Sequence, residues 1–162
     1  MRTRTHTLTD SPYGLLTLVA DEGVLCGLYM TDQRHRPPEE SFGDRDHTPF
    51  PEVVEQLQAY FDGELKEFTF EVRLHGTPFQ RTVWDQLRRI PYGETRSYGA
   101  LADALGSPGA SRAVGLANGR NPIGIVVPCH RVVGAGGSLT GYGGGLERKQ
   151  RLLDFESGAA LF

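Results

Sequence analysis

An α+β architecture is predicted, a β-rich N-terminal part followed by a helical C-terminal part. Three observations carry this. Short runs rich in β-branched and aromatic residues fill the beginning of the chain, and apolar residues at helical spacing fill its second half. His75-Gly76-Thr77-Pro78 marks the change between them, which places one domain over residues 1–76 and another over residues 77–162.

The opening segment has the pattern of a β-meander. Thr5–Thr9, Leu15–Ala20 and Val24–Met30 are separated by Ser11-Pro12-Tyr13-Gly14 and Asp21-Glu22-Gly23, both turn clusters. Residues 31–51 are polar and carry Pro37, Pro38, Pro49 and Pro51, which predicts a long loop. Val53, Val54, Leu57, Tyr60 and Phe61 recur at helical spacing, so Pro51–Phe61 is an amphipathic helix that stops near Gly63. Phe68–Leu74 alternates again and is expected to return to the sheet as a fourth strand.

Thr77 is a suitable N-cap, with Pro78 at the first helical position. The helix it opens sets Phe79, Val83, Trp84 and Leu87 on one face and ends before Pro91-Tyr92-Gly93. Ser97–Leu105 is a second short helix, closed by Gly106, and a third lies near Ala110–Asn118 after Ser107-Pro108-Gly109. Two short helices joined by a tight glycine-containing turn form a helix-turn-helix pattern, which ordinary helical hairpins share. Leu146–Phe155 is the last helix, expected to bury Leu146, Leu152 and Leu153 with Phe155 beside them.

Composition narrows the function. The two cysteines, Cys26 and Cys129, form no CxxC pair, which fits a reducing, cytoplasmic setting. The first ten residues hold no apolar core of signal-peptide length, and no run approaches a membrane span, so no membrane partner is expected. The formal net charge of −3 hides an asymmetry. Residues 1–77 hold 7 basic and 14 acidic side chains, residues 78–151 hold 10 basic against 4 acidic, and the tail adds two acids. A cationic half beside an anionic one suggests a polyanion surface, although a solvated mixed-sign exterior gives the same count.

Pro128-Cys129-His130-Arg131 is the chemically suggestive stretch. It follows the apolar run Ile123–Val127, and Pro128 biases Val127 toward extended backbone, so the run is expected to be buried with Cys129 the first residue to emerge. A thiolate is the nucleophile, and cationic or basic neighbours lower a thiol's pKa. His130 and Arg131 are such candidates, although side chains adjacent in an extended chain point to opposite faces.

Taken with its surroundings the stretch gains meaning. Pro91-Tyr92-Gly93-Glu94-Thr95, Ser97-Tyr98-Gly99, Ser111-Arg112-Ala113-Val114-Gly115, Asn121-Pro122, Pro128-Cys129-His130-Arg131-Val132 and Gly141-Tyr142-Gly143-Gly144-Gly145 occur in that order. Their order and spacing resemble the O6-alkylguanine-DNA alkyltransferases, or methylated-DNA–protein-cysteine methyltransferases, over nearly the whole C-terminal half. The resemblance implies a ribonuclease-H-like small sheet with a helix, then a helical, winged-helix-like DNA-binding domain carrying the active site.

The resemblance also implies roles. Cys129 takes an alkyl group from O6 of guanine, and also from O4 of thymine, irreversibly and once. His130 acts as base, in the family through a bridging water, and Glu156 orients its imidazole. Tyr98 serves as donor to the leaving guanine, Tyr142 walls the base pocket, and Val132 lines it. Gly143 stands where some members have serine, which leaves only a backbone N–H toward O6. The target base lies inside duplex DNA and must be flipped out. Arg112 matches the arginine that fills the vacated stack, on a helix the family sets in the minor groove, and its planar charged group suits that use. Small residues (Ala110, Ala113, Gly115, Ala117) would allow close approach, and Asn121 matches a hinge asparagine.

The expected partner is therefore double-stranded DNA bearing alkylated guanine, bound by a monomer that needs no cofactor. No metal is expected: some relatives hold structural zinc through two cysteines and two histidines in the N-domain, and here only Cys26 is available there. Two other functions stay open. One is a lesion-binding protein without transfer, a class that lacks the cysteine. The other is a thiol hydrolase without DNA affinity, which the basic half and Arg112 oppose.

Overall fold

A computed structural model describes residues 3–158, which divide into two compact units at His75–Gly76. The outer ends of the two expected domains, residues 1–2 and 159–162, lie outside the described residues.

The first unit is built on β1 (Arg4–Thr9), β2 (Leu16–Asp21), β3 (Val24–Met30) and β4 (Asp44–Arg45), in the order β3-β2-β1-β4. β1, β2 and β3 form the antiparallel meander, and β4 joins β1 in parallel. Turn chemistry sets the register. Glu22 and Gly23 have φ of 50° and 81°, the two-residue connection that matches strand twist, and only the glycine reaches it without strain. β2 is buried along its whole length. Phe42, on a 3-10 turn from the proline-rich loop, stacks on Tyr29 at 5.6 Å and closes a cluster with Val19 and Cys26. Helix α1 (Pro51–Phe61) contributes Val53, Leu57 and Tyr60 to the core.

The fourth strand is not where alternation placed it. Phe68–Leu74 makes a single parallel bridge, Leu25 with Val72, while the polar loop supplies β4. The reason is competition for the segment's groups. The Gln56 side chain of α1 accepts from Thr69 N at 2.9 Å and donates to its hydroxyl at 2.8 Å, and Phe68 packs on Tyr60 with ring centroids 5.4 Å apart. Farther on, Arg73 and His75 both bond to Asp21.

The second unit holds α2 (Pro78–Leu87), α3 (Tyr98–Ala104), α4 (Ser111–Gly119) and α5 (Leu146–Ser157), with a two-strand parallel pair, β5 (Arg96–Ser97) and β6 (Val132–Val133). α2 starts as the sequence dictates: Thr77 accepts from Gln80 N at 3.1 Å while the Gln80 side chain caps Thr77 N at 3.0 Å. Val83, Trp84 and Leu87 are buried, but Phe79 stays 40% exposed. Trp84 donates its indole N–H to Ala117 O at 2.9 Å, which fixes α2 to α4. A Cβ at Gly76 would fall 2.5 Å from the Trp84 ring, so this ring position requires a glycine.

The face buried by α5 differs from the expected one. α5 leaves Leu146 48% exposed and Leu153 half-buried, and instead buries Lys149 and Glu156 beside Leu152 and Phe155. The helix is rotated because those two polar groups have partners inside. The run Ile123–Val127 is buried as expected, apart from half-buried Val126, and it is built of turns. Val126 N reaches Gly124 O at 2.7 Å around Ile125, whose φ is 69°, and Cys129 N reaches Val127 O at 2.8 Å around Pro128. Two consecutive γ-turns therefore deliver the cysteine, one centred on a β-branched residue in left-handed backbone.

Candidate active site

Cys129 begins a 3-10 turn, Cys129–Arg131, that runs straight into β6. β6 pairs with β5 in the register Arg96–Val132 and Ser97–Val133, and Ser97 caps α3 through Ala100 N at 3.0 Å. Tyr98, first residue of α3, is thus placed by the strand pair that continues the cysteine turn. Helix α4 holds the turn from the other direction. Asn118 Nδ2 donates to Cys129 O at 3.3 Å, and Asn121 Nδ2 donates to Val127 O at 2.7 Å while its Oδ1 accepts from Ile123 N at 3.0 Å.

The thiol is buried, not the emerging group the sequence suggested. Burial pushes the Cys129 thiol up, while a hydrogen bond from Asn121 and the nearby Lys149 ammonium draw it back toward ionisation. The expectation that His130 and Arg131 depress it is therefore corrected. Arg131 is turned away: its guanidinium grips Glu156 through Nε to Oε1 at 2.7 Å and Nη2 to Oε2 at 2.9 Å, and gives Nη1 to Ile90 O at 2.7 Å.

His130 meets the same carboxylate, Nε2 to Oε2 at 2.9 Å. Burial opposes Glu156 ionisation, but His130 and Arg131 outweigh it and hold the carboxyl down at about 2. His130 is pushed below its ordinary value, by burial first, against the pull of Glu156. The imidazole is thus neutral at pH 7 and carries its proton on Nε2, facing the ionised carboxylate. Nδ1 is buried with no hydrogen-bond partner among the described residues, a lone pair free to accept a proton.

The segment after β6 bonds to Tyr98 and to Lys149. Tyr98 packs where a Cβ at Gly115 would lie 3.8 Å from its ring, and its Oη accepts from the Thr140 hydroxyl at 3.1 Å. Lys149, fully buried, donates Nζ to Thr140 O at 2.7 Å and Gly141 O at 3.4 Å. Val132 is fully buried, and Tyr142 and Gly143 are half-buried just beyond Thr140. Arg112 is exposed on α4, on a face shared with Ala113, Leu116 and Arg120. The small residues divide: Ala113 is exposed and Gly115 half-buried, whereas Ala117 is buried and accepts the Trp84 indole N–H on its carbonyl.

Sequence reasoning missed Lys149, Asn118 and Thr140. Lys149 had a signal, since it sits at a core position of α5, three residues before Leu152, where an unpaired lysine is costly. Among the described residues no three of His, Cys, Asp and Glu gather as metal ligands, and no helix is long and apolar enough to cross a membrane.

Comparison with known proteins settles the family. Residues 5–74 match the ribonuclease-like domain of 6-O-methylguanine DNA methyltransferase, and residues 78–158 match its DNA-binding domain. The chain belongs to this family. A methylated-DNA–protein-cysteine methyltransferase of Mycolicibacterium paratuberculosis is 60% identical over 147 residues, 91% of this chain and 88% of the relative. One from Methanosarcina acetivorans is 48% identical, over 93% of this chain and 97% of the relative. The crystal structure of Mycobacterium tuberculosis OGT in complex with DNA superposes with a TM-score of 0.90 at 54% identity, covering 97% of this chain and 95% of that one. The family fold is thus a ribonuclease-like sheet unit followed by a helical DNA-binding unit, as the sequence predicted.

Proposed function

We propose that this member of a DNA-repair methyltransferase family carries the alkyl group of O6-alkylguanine away on the Cys129 sulfur, once per molecule, with duplex DNA held through the minor groove. The observation that supports this most is the buried set Cys129, His130 and Glu156, in which one imidazole nitrogen is fixed on a carboxylate and the other is unpartnered. That is the arrangement of nucleophile, base and orienting acid used in covalent catalysis.

The steps balance as a displacement. His130 Nδ1 takes the thiol proton, relayed by a water, and Glu156, held in place by Arg131, stabilises the imidazolium that results. Asn121 and Lys149 stabilise the thiolate at the other end of that transfer. Sulfur attacks the alkyl carbon, the carbon–O6 bond breaks, and its electron pair goes to the guanine. Tyr98 Oη–H donates to the ring as that charge develops. Tyr142, Val132 and Gly143 form the base pocket. The product is a thioether, which has no leaving path, so the chain is not regenerated.

Arg112 stands exposed near the N-terminus of α4 and fills the stack left by the flipped nucleotide, while Asn121 couples α4 to the cysteine turn. The protein acts as a monomer in the cytoplasm, on the nucleoid when bound. Its stoichiometry tests this: with lesion duplex in excess, repaired guanines should equal chains and then stop. Continued turnover would instead make Cys129 the nucleophile of a hydrolase.

A further inference from the structure

We propose that Thr140 is a positioning residue for Tyr98, aiming the phenol proton at the departing guanine. This rests on the donor role of Tyr98 given above. A phenol oxygen accepts and donates through one rotor, so which partner it accepts from decides where its own proton goes. In this structure Thr140 Oγ1 donates to Tyr98 Oη at 3.1 Å. With that acceptor site filled, the phenol O–H is released toward the pocket.

The threonine is itself held. Its carbonyl takes the Lys149 ammonium at 2.7 Å, and that lysine is fully buried and reaches Gly141 O as well. A rigid helix therefore fixes the backbone of Thr140, and the hydroxyl extends that rigidity to Tyr98. The phenol is constrained from two sides: Ser97 caps its helix and Thr140 orients its oxygen. The Thr140–Tyr98 bond is open to solvent in the free protein. A base seated against the phenol would shield it from water, and hydrogen bonds gain strength in that setting.

The test measures single-turnover methyl transfer on an O6-methylguanine duplex at saturating DNA. Four variants are compared with the parent: Thr140→Val, Thr140→Ser, Tyr98→Phe, and the double variant Tyr98→Phe/Thr140→Val. Valine keeps the threonine shape and removes the hydroxyl. It should slow transfer about three- to tenfold, the range one lost hydrogen bond supports. DNA affinity and melting temperature should hold, and serine should restore the rate. In the Tyr98→Phe background, Thr140→Val should add nothing. Parental speed in Thr140→Val, or an equal slowing with and without the phenol, overturns the proposal and leaves the Tyr98 donor role standing. Parental speed in Tyr98→Phe alone removes the donor role and this proposal with it.

Discussion

His130 Nε2 and Glu156 Oε2 lie 2.9 Å apart with side chains 0% and 1% exposed, and the same carboxylate is clamped by Arg131. One acid thus serves both a buried imidazole and a nearly buried guanidinium. That sharing ties the reactivity of the site to the stability of the unit.

Glu156 should govern acid unfolding. Its folded pKa lies at about 2 against an ordinary 4.5, so its stabilisation is full above 4.5 and is lost as pH falls toward 2. The shift corresponds to on the order of 3 kcal/mol. His130, held below its ordinary 6.5, also favours folding at higher pH, so stability begins to fall as pH drops below 6.5. Melting temperature against pH should show both limbs in the parent. Glu156→Gln should lose about 3–5 kcal/mol near pH 7, because Arg131 is left buried without its partner, and the limb below 4.5 should flatten. An unchanged acid limb in that variant would remove Glu156 from the account.

Lys149 should help ionise the thiol. Its charge favours the thiolate, which burial opposes. Lys149→Met keeps the length of the side chain and removes the charge, so the pH midpoint of Cys129 alkylation should move upward. A midpoint that stays in place would mean that the lysine serves only the loop carbonyls.

Much of this was legible beforehand. The strands β1 to β3, the helix Pro51–Phe61 and the Thr77 cap follow from local turn and cap chemistry, and they stand where the sequence placed them. The failures share a cause. Phe68–Leu74 alternates like a strand, yet the Gln56 side chain, distant in sequence, takes its backbone. Leu146 and Leu153 were expected inside α5 on hydrophobicity, whereas Lys149 and Glu156 are inside because carbonyls, His130 and Arg131 await them there. Within the site, the motif order pointed to Cys129 and His130, whereas Glu156 lies in no motif and came only from the family resemblance. The Thr140–Tyr98 bond joins residues 42 apart and has no local signal.

Gly76 should resist substitution. A methyl group there meets the buried Trp84 ring at 2.5 Å, and overpacking of this kind costs about 1–3 kcal/mol. Gly76→Ala should lower the denaturation midpoint with the slope unchanged. A neutral result would show that Trp84 can retreat without loosening its bond to Ala117.

Arg112 should act on extrusion of the base more than on the chemical step. Arg112→Ala should greatly slow repair in duplex DNA, since flipping costs a few kcal/mol and the side chain that offsets it is gone. Reaction with free O6-methylguanine should be nearly normal. The salt dependence of DNA binding should weaken by about one phosphate contact. Equal losses on both substrates would reassign Arg112 to the fold.

Cys129 should be the acceptor of the alkyl group. Intact mass and peptide mapping after incubation with an O6-methylguanine duplex test it most directly. One methyl group per chain, located on Cys129 and absent in Cys129→Ser, is the predicted result. Repaired DNA with an unmodified Cys129, or with the methyl on Cys26, would contradict it.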